Sequence, residues 1–223
     1  MVFLEEVIMK SSIICKEIKK KFGKQIIVQS FSKKFEEKNI YALLGENGSG
    51  KSTLLRILAG MQQVDEGMVT WNVKGEEKSA QKLYPYISFT APAMELPLSF
   101  SLHEFLQFHF SFKKIREDFS VAKIIDRLGM QKVKNRMLED FSSGMLQRVK
   151  LAQALFADTP FLFIDEPTAN LDAKGKALFQ ELLEEFKNNR LVFIASNEEE
   201  EYQQASLENH IKVKDFQNEI IHF

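Results

Sequence analysis

The chain has 223 residues, 44% hydrophobic and 27% charged, the balance of an ordinary globular protein rather than of a disordered or fibrous one. Its 30 Lys and Arg against 31 Asp and Glu leave a net charge of -1, so no overall basic field draws it to nucleic acid or acidic lipid, and a bound anion must meet a local site. The longest apolar runs, 40–44 and 191–195, fall far short of the roughly 20 residues that span a bilayer, and the single cysteine, Cys15, can form no internal disulfide, which suits a reducing cytosol. The first ten residues carry two glutamates and lack the basic, apolar, small-residue order of a secretion signal.

In chain order, the apolar segments 13–18, 26–28 and 31–35 are short, separated by Gly23 and polar turns, and predict an antiparallel β layer. Segment 39–44 predicts a strand, followed by a helix over 51–59 that Gly60 ends. A second strand over 86–89 precedes a helix over 101–112 that opens with the capping-box pair Ser101 and Glu104, and then a helix over 121–128 that stops at Gly129. Strands over 160–165, 191–196 and 211–213 flank a helix over 172–188. Three of these strands are apolar on both faces, as in a parallel sheet covered by helices on each side, so the fold class is α/β. The five prolines are scattered and no repeat is present, which predicts one compact unit. Phe105, Phe108 and Phe112 recur at i, i+3, i+7 and predict a core-facing stripe, from which Phe110 departs. Glu198, Glu199, Glu200 and Glu201 read as a solvated helix start, and His103, His109, His210 and His222 as surface or structural residues.

Two motifs carry chemistry. Gly45-Glu46-Asn47-Gly48-Ser49-Gly50-Lys51-Ser52 has the form G-x-x-x-x-G-K-[ST] between a predicted strand and a predicted helix. Its glycines let successive N–H groups turn toward phosphate oxygens, the helix aims its positive end at the same place, Lys51 faces the β and γ phosphates, and the Ser52 hydroxyl is placed to ligate Mg²⁺. The strand over 160–165 ends in Asp165 and Glu166, where ligands gather at the carboxyl ends of a parallel sheet. Asp165 is the second metal partner, and Glu166 orients and polarises the water that attacks the γ phosphorus.

These motifs, with what lies between and after them, resemble the nucleotide-binding subunit of ATP-binding cassette (ABC) transporters over nearly the whole chain. Phe141-Ser142-Ser143-Gly144-Met145 stands where that family carries its signature, the helix after it resembles the signature helix, Asn170-Leu171-Asp172 resembles the D-loop, and Phe22 occupies the place of the residue that stacks on adenine. The resemblance implies a P-loop NTPase core with a mostly parallel sheet, an N-terminal antiparallel β layer, and a helical subdomain inserted at about 90–157 of a single 1–223 domain. It implies ATP and Mg²⁺, with nucleotide contacts from Phe22, Gly45, Glu46, Asn47, Gly48, Ser49, Gly50, Lys51, Ser52 and Thr53, metal contacts from Ser52 and Asp165, and catalysis by Lys51, Glu166 and Asn197. Ser142, Ser143, Gly144 and Asp172 would act in trans, on the nucleotide of a second cassette. An integral-membrane transporter subunit, with the cassette on the cytoplasmic face, completes the expectation.

Three departures accompany the resemblance. Ser143 and Met145 stand where the family has glycine and the final glutamine in its signature, the segment Thr90-Ala91-Pro92-Ala93 has no Q-loop glutamine, and Asn197 stands for the switch histidine. Asparagine donates a neutral hydrogen bond but relays no proton, so slow ATP hydrolysis is expected. An ATP-gated regulatory module with negligible hydrolysis is the rival reading, and a soluble cassette acting in translation or repair a second.

Overall fold

A computed structural model describes residues 10–217; His222 and most of the N-terminal stretch read for a leader lie outside them. Strands β1 (Ser12–Phe22), β2 (Gln25–Glu36), β4 (Glu66–Val73) and β5 (Glu76–Lys78) form an antiparallel sheet in the order β2-β1-β4-β5. Strands β3 (Ile40–Leu44), β6 (Ile87–Thr90), β7 (Phe161–Asp165), β8 (Leu191–Ala195) and β9 (His210–Lys212) form a parallel sheet in the order β6-β7-β8-β3-β9.

The α/β class and the antiparallel layer agree with the sequence reading, but the layer is built differently. The three short segments are two long strands, bent by register shifts near Cys15, Ile18 and Lys20 and by the left-handed Glu17 and Ser30. The irregularities interrupt the apolar alternation, so a reading by periodicity divides each strand. β4 and β5 gave no sequence signal, because only Trp71 and Val73 of β4 are buried and β5 is the charged triplet Glu76-Glu77-Lys78.

Helix α1 (Lys51–Leu58) follows β3, and α5 (Ala173–Phe186), capped by the Asp172 side chain, joins β7 to β8. Between β6 and β7 run α2 (Leu102–Phe112), α3 (Val121–Arg127) and α4 (Ser143–Leu155). Ser101 and Glu104 form the expected capping box on α2. One face of the parallel sheet packs against α2–α5, burying Leu106, Ile124, Val149, Ile164 and Leu183. Its other face packs on α1 and the antiparallel sheet, where Phe31, Phe35, Leu54, Phe163 and Phe193 meet. The sheet is thus covered on both sides, which explains why Phe161, Leu162, Phe163 and Ile164 are all fully buried.

Two side-chain expectations are corrected. Phe105 is buried, but Phe108 and Phe112 are 51% and 59% exposed, while Phe110 is partly buried against the core. The core-facing stripe stops after one turn because, among the described residues, no other element covers the α2 face carrying Phe108 and Phe112; those rings pack edge-on against each other, and Phe108 against Phe100. Glu201, in the short helix α6 (Glu199–Tyr202), is not solvated: it is 3% exposed, because three donors from other segments converge on its carboxylate.

Candidate nucleotide site

The 45–52 loop leaves the carboxyl end of β3 and enters α1, whose N-cap is Gly50. Gly50 has φ 93°, and a Cβ there would lie 2.5 Å from Ile27 Cγ2, so both conformation and space require glycine. The loop folds back on itself: Ser49 N–H donates to the Glu46 carbonyl at 3.0 Å, and the Lys51 ammonium donates to the carbonyls of Gly45 and Glu46 at 2.7 and 3.1 Å. Lys51 is buried, so its charge is held inside the curve of the loop, where phosphate oxygens would compete for it with neutral carbonyls.

A cleft of about 340 Å³ opens beside the loop, walled by Phe22, Gln25, Lys51, Ser52, Thr53 and Glu166. It therefore gathers the aromatic residue at the end of β1, the phosphate loop with the first turn of α1, and the residue that follows β7. Phe22 is 49% exposed, with the Lys20 ammonium 5.2 Å from its ring centroid, a flat apolar surface at the rim.

Asp165 is the last residue of β7 and is buried beneath the same loop. Burial pushes its carboxyl above the usual carboxylate range and the neighbouring Glu166 charge adds to this, whereas the Ser52 hydroxyl, Arg56 and Lys51 hold it down. Its Oδ1 is buried without a hydrogen-bond partner among the described residues. An orphaned carboxylate oxygen next to a hydroxyl, at the foot of a phosphate loop, fits a hard divalent cation. Among the described residues no group of three or more His, Cys, Asp or Glu could hold a metal, so such an ion would take few ligands from the chain.

Glu166 lies half-buried at φ 42°, a left-handed conformation that non-glycine residues rarely adopt, and its N–H donates to the Ala195 carbonyl at 2.9 Å. Asn197, just past β8, donates from Nδ2 to Asn47 Oδ1 at 2.8 Å, so its amide stands against the phosphate loop.

The signature-like residues sit elsewhere. Ser142 caps α4, accepting from Met145 N–H, and Ser142, Ser143 and Gly144 are not among the residues that wall the cleft. They join the D-loop-like segment instead: a Cβ on Gly144 would lie 2.8 Å from the Asn170 carbonyl, and Arg148 pairs with Asp172 at 2.6 Å. The Gly175 N–H and the Arg148 guanidinium hold the Asp172 carboxyl below its usual range. Gln147 Nε2 reaches the Pro167 carbonyl at 3.0 Å, so the start of α4 steadies the segment after Glu166. Where the Q-loop glutamine is absent, Lys150 of α4 instead donates to the Pro92 carbonyl at 2.5 Å. Gln25 carries no motif of its own, and only the fold brings it to the cleft, whereas Gln147, Arg148 and Lys150 lie on the helix that resembles the signature helix, outside the cleft.

Comparison with known proteins follows the same lines. A family profile described as ABC transporter matches residues 28–169. An uncharacterized ABC transporter ATP-binding protein, YybJ of Bacillus subtilis (strain 168), is 34% identical over 184 residues, covering 82% of this chain and 84% of its own. The lantibiotic transport ATP-binding protein SrtF of Streptococcus pyogenes is 29% identical over 182 residues, covering 81% and 77%. In fold, a putative ABC transporter ATP-binding protein from Pyrococcus furiosus superposes with a TM-score of 0.75 at 22% identity, over 93% of this chain and all of the other. Among the described residues no helix is long and apolar enough to cross a membrane. With the family profile spanning both motifs, the chain belongs to the ABC transporter family, as an ATP-binding and ATP-hydrolysing subunit.

Proposed function

We propose that ATP lies in the cleft between Phe22 and Glu166, with its adenine on the Phe22 ring and its phosphates in the curve of residues 45–53. The observation that carries this reading is the convergence of Phe22, Lys51, Ser52 and Glu166 on one cleft above a buried carboxylate with a free oxygen. Phosphate oxygens replace the Gly45 and Glu46 carbonyls as partners of Lys51, exchanging neutral acceptors for charged ones. Ser52 and Asp165 are the chain's ligands for Mg²⁺, which when bound neutralises triphosphate charge. Glu166 accepts a hydrogen bond from the attacking water and orients it, and Asn197 turns its amide from Asn47 to the γ phosphate.

Because residues 142–144 lie outside the cleft, a second cassette brings its own signature to each nucleotide, so the working form is a dimer. Ser142 offers a hydroxyl, and the start of α4 its free N–H groups, to a γ phosphate. We assign 1–223 to one ATPase domain, with 90–157 as its helical subdomain. The partner is an integral-membrane transporter subunit, which holds the cassette on the cytoplasmic face and meets it at the uncovered aromatic face of α2. Asn197 supplies no ionisable group and Ser143 places a side chain where a phosphate would approach, so turnover is slow. Glu166→Gln tests the assignment: phosphate release with Mg·ATP should fall on the order of 10²–10³-fold with ATP affinity unchanged. Wild-type turnover by that variant removes Glu166 from its role.

A further inference from the structure

We infer that Glu201 is a positioning residue for ATP hydrolysis, its carboxylate fastening the loop that carries Glu166 to the loop that carries Asn197; this rests on the roles proposed for those two residues. β7 and β8 run side by side as far as the Asp165 and Ala195 pair, and the Glu166 N–H closes the ladder on the Ala195 carbonyl. Beyond that point the two chains part. Among the described residues no backbone hydrogen bond joins 167–172 to 196–201. The gap is spanned by side chains, and Glu201 stands at its centre.

One oxygen of Glu201 accepts from both the Thr168 N–H, at 2.7 Å, and the Thr168 hydroxyl, and the other oxygen accepts from the Ser196 hydroxyl. Thr168 is two residues past Glu166, and Ser196 is the residue before Asn197. The Ser196 oxygen itself accepts from the Glu198 N–H at 2.9 Å, which directs the hydroxyl proton toward an acceptor such as Glu201. Glu198 is a weaker bridge: it stands 3.5 Å from the Thr168 hydroxyl and is engaged by Lys176 at 2.9 Å. Glu201, Thr168 and Ser196 are each 5% exposed or less, so water does not replace a missing partner. A carboxylate that accepts at each oxygen suits three converging donors.

Glu166 already sits at a strained φ of 42°, a conformation that persists only when its surroundings over-determine it. Gln147 and Arg148 hold one side of the segment after it, and Glu201 holds the other. The clamp thus sets the spacing between the group that orients water and the group that meets the γ phosphate, without touching nucleotide itself. An error of about 1 Å in such a spacing costs on the order of 100-fold in rate.

The test is steady-state hydrolysis by the full chain with Mg·ATP, alongside ATP affinity and thermal midpoint. Glu201→Ala should lower kcat by about 10-fold to 100-fold, with KM and ATP affinity within about twofold, and Glu201→Gln, which keeps one acceptor oxygen, should recover most of the loss. In a Glu166→Gln background, Glu201→Ala should add little, since both act on one step. Should Glu201→Ala fail to fold, Ser196→Ala, which cuts one arm, and Thr168→Val, which removes the hydroxyl of the other and leaves its N–H, should each lower kcat, the first severalfold and the second less. Unchanged kcat in Glu201→Ala, or in both arm variants, overturns the inference. So does a loss that tracks ATP affinity or repeats in full in the Glu166→Gln background. If Glu166→Gln alone keeps wild-type turnover, the Glu166 assignment fails; if it loses turnover while Glu201→Ala does not, Glu201 alone is removed.

Discussion

His109 shows how an environment can set a residue's chemistry without any motif. It sits on α2 with Nε2 buried and unpartnered among the described residues, and burial, reinforced by the Lys113 charge, holds its imidazole down at about 4 from an ordinary 6.5. The folded state therefore keeps it neutral while the unfolded chain protonates. Its contribution to stability is present above pH 6.5 and is lost as pH falls through about 4. The thermal midpoint of the wild-type chain should drop more steeply over that window than that of His109→Leu; parallel profiles would assign the acid sensitivity elsewhere. Lys51, Asp165 and Glu166 were legible because each lies in a short contiguous pattern with one chemical use. Glu201 was not, because four consecutive glutamates look alike in sequence, and only the arrival of Thr168 and Ser196 buries one of them.

At the scale of elements, the strands of the parallel sheet and α1, α2, α3 and α5 were readable from apolar runs, caps and glycine stops, whereas α4 came only with the family resemblance. β5 was not, since its place depends on hydrogen bonds to β4 rather than on its own charged residues. Helix α2 was placed correctly by its capping box, but the outward face was misread, because i, i+3, i+7 spacing fixes which residues share a side and not whether another element covers it. Phe108 and Phe112 are the consequence: two large exposed rings on a face suited to a partner. Replacing both with Ser should release the chain from membranes of cells that make its transporter partner, with ATP binding retained. Undiminished membrane association would move the docking surface away from α2.

Across the whole molecule, two sheets and a helical insertion divide the labour. The parallel sheet and α1 form the phosphate loop and carboxylate pair at one edge, the antiparallel sheet brings Phe22 to the same cleft, and the insertion carries Ser142–Gly144 on a separate surface. The trans contact proposed for Ser142–Gly144 predicts a second copy or a homologue as partner. Glu166→Gln, which should bind ATP without consuming it, is expected to sediment as a dimer with Mg·ATP and as a monomer with ADP; a monomer under both conditions would contradict closure of two identical chains. ATP binding in this cleft rests most directly on the 45–52 loop, and calorimetric titration with Mg·ATP reads it without help from partner or turnover. The wild-type chain should give a saturable heat and Lys51→Ala none beyond dilution, whereas equal heats from the two proteins would contradict the assignment of this cleft to ATP.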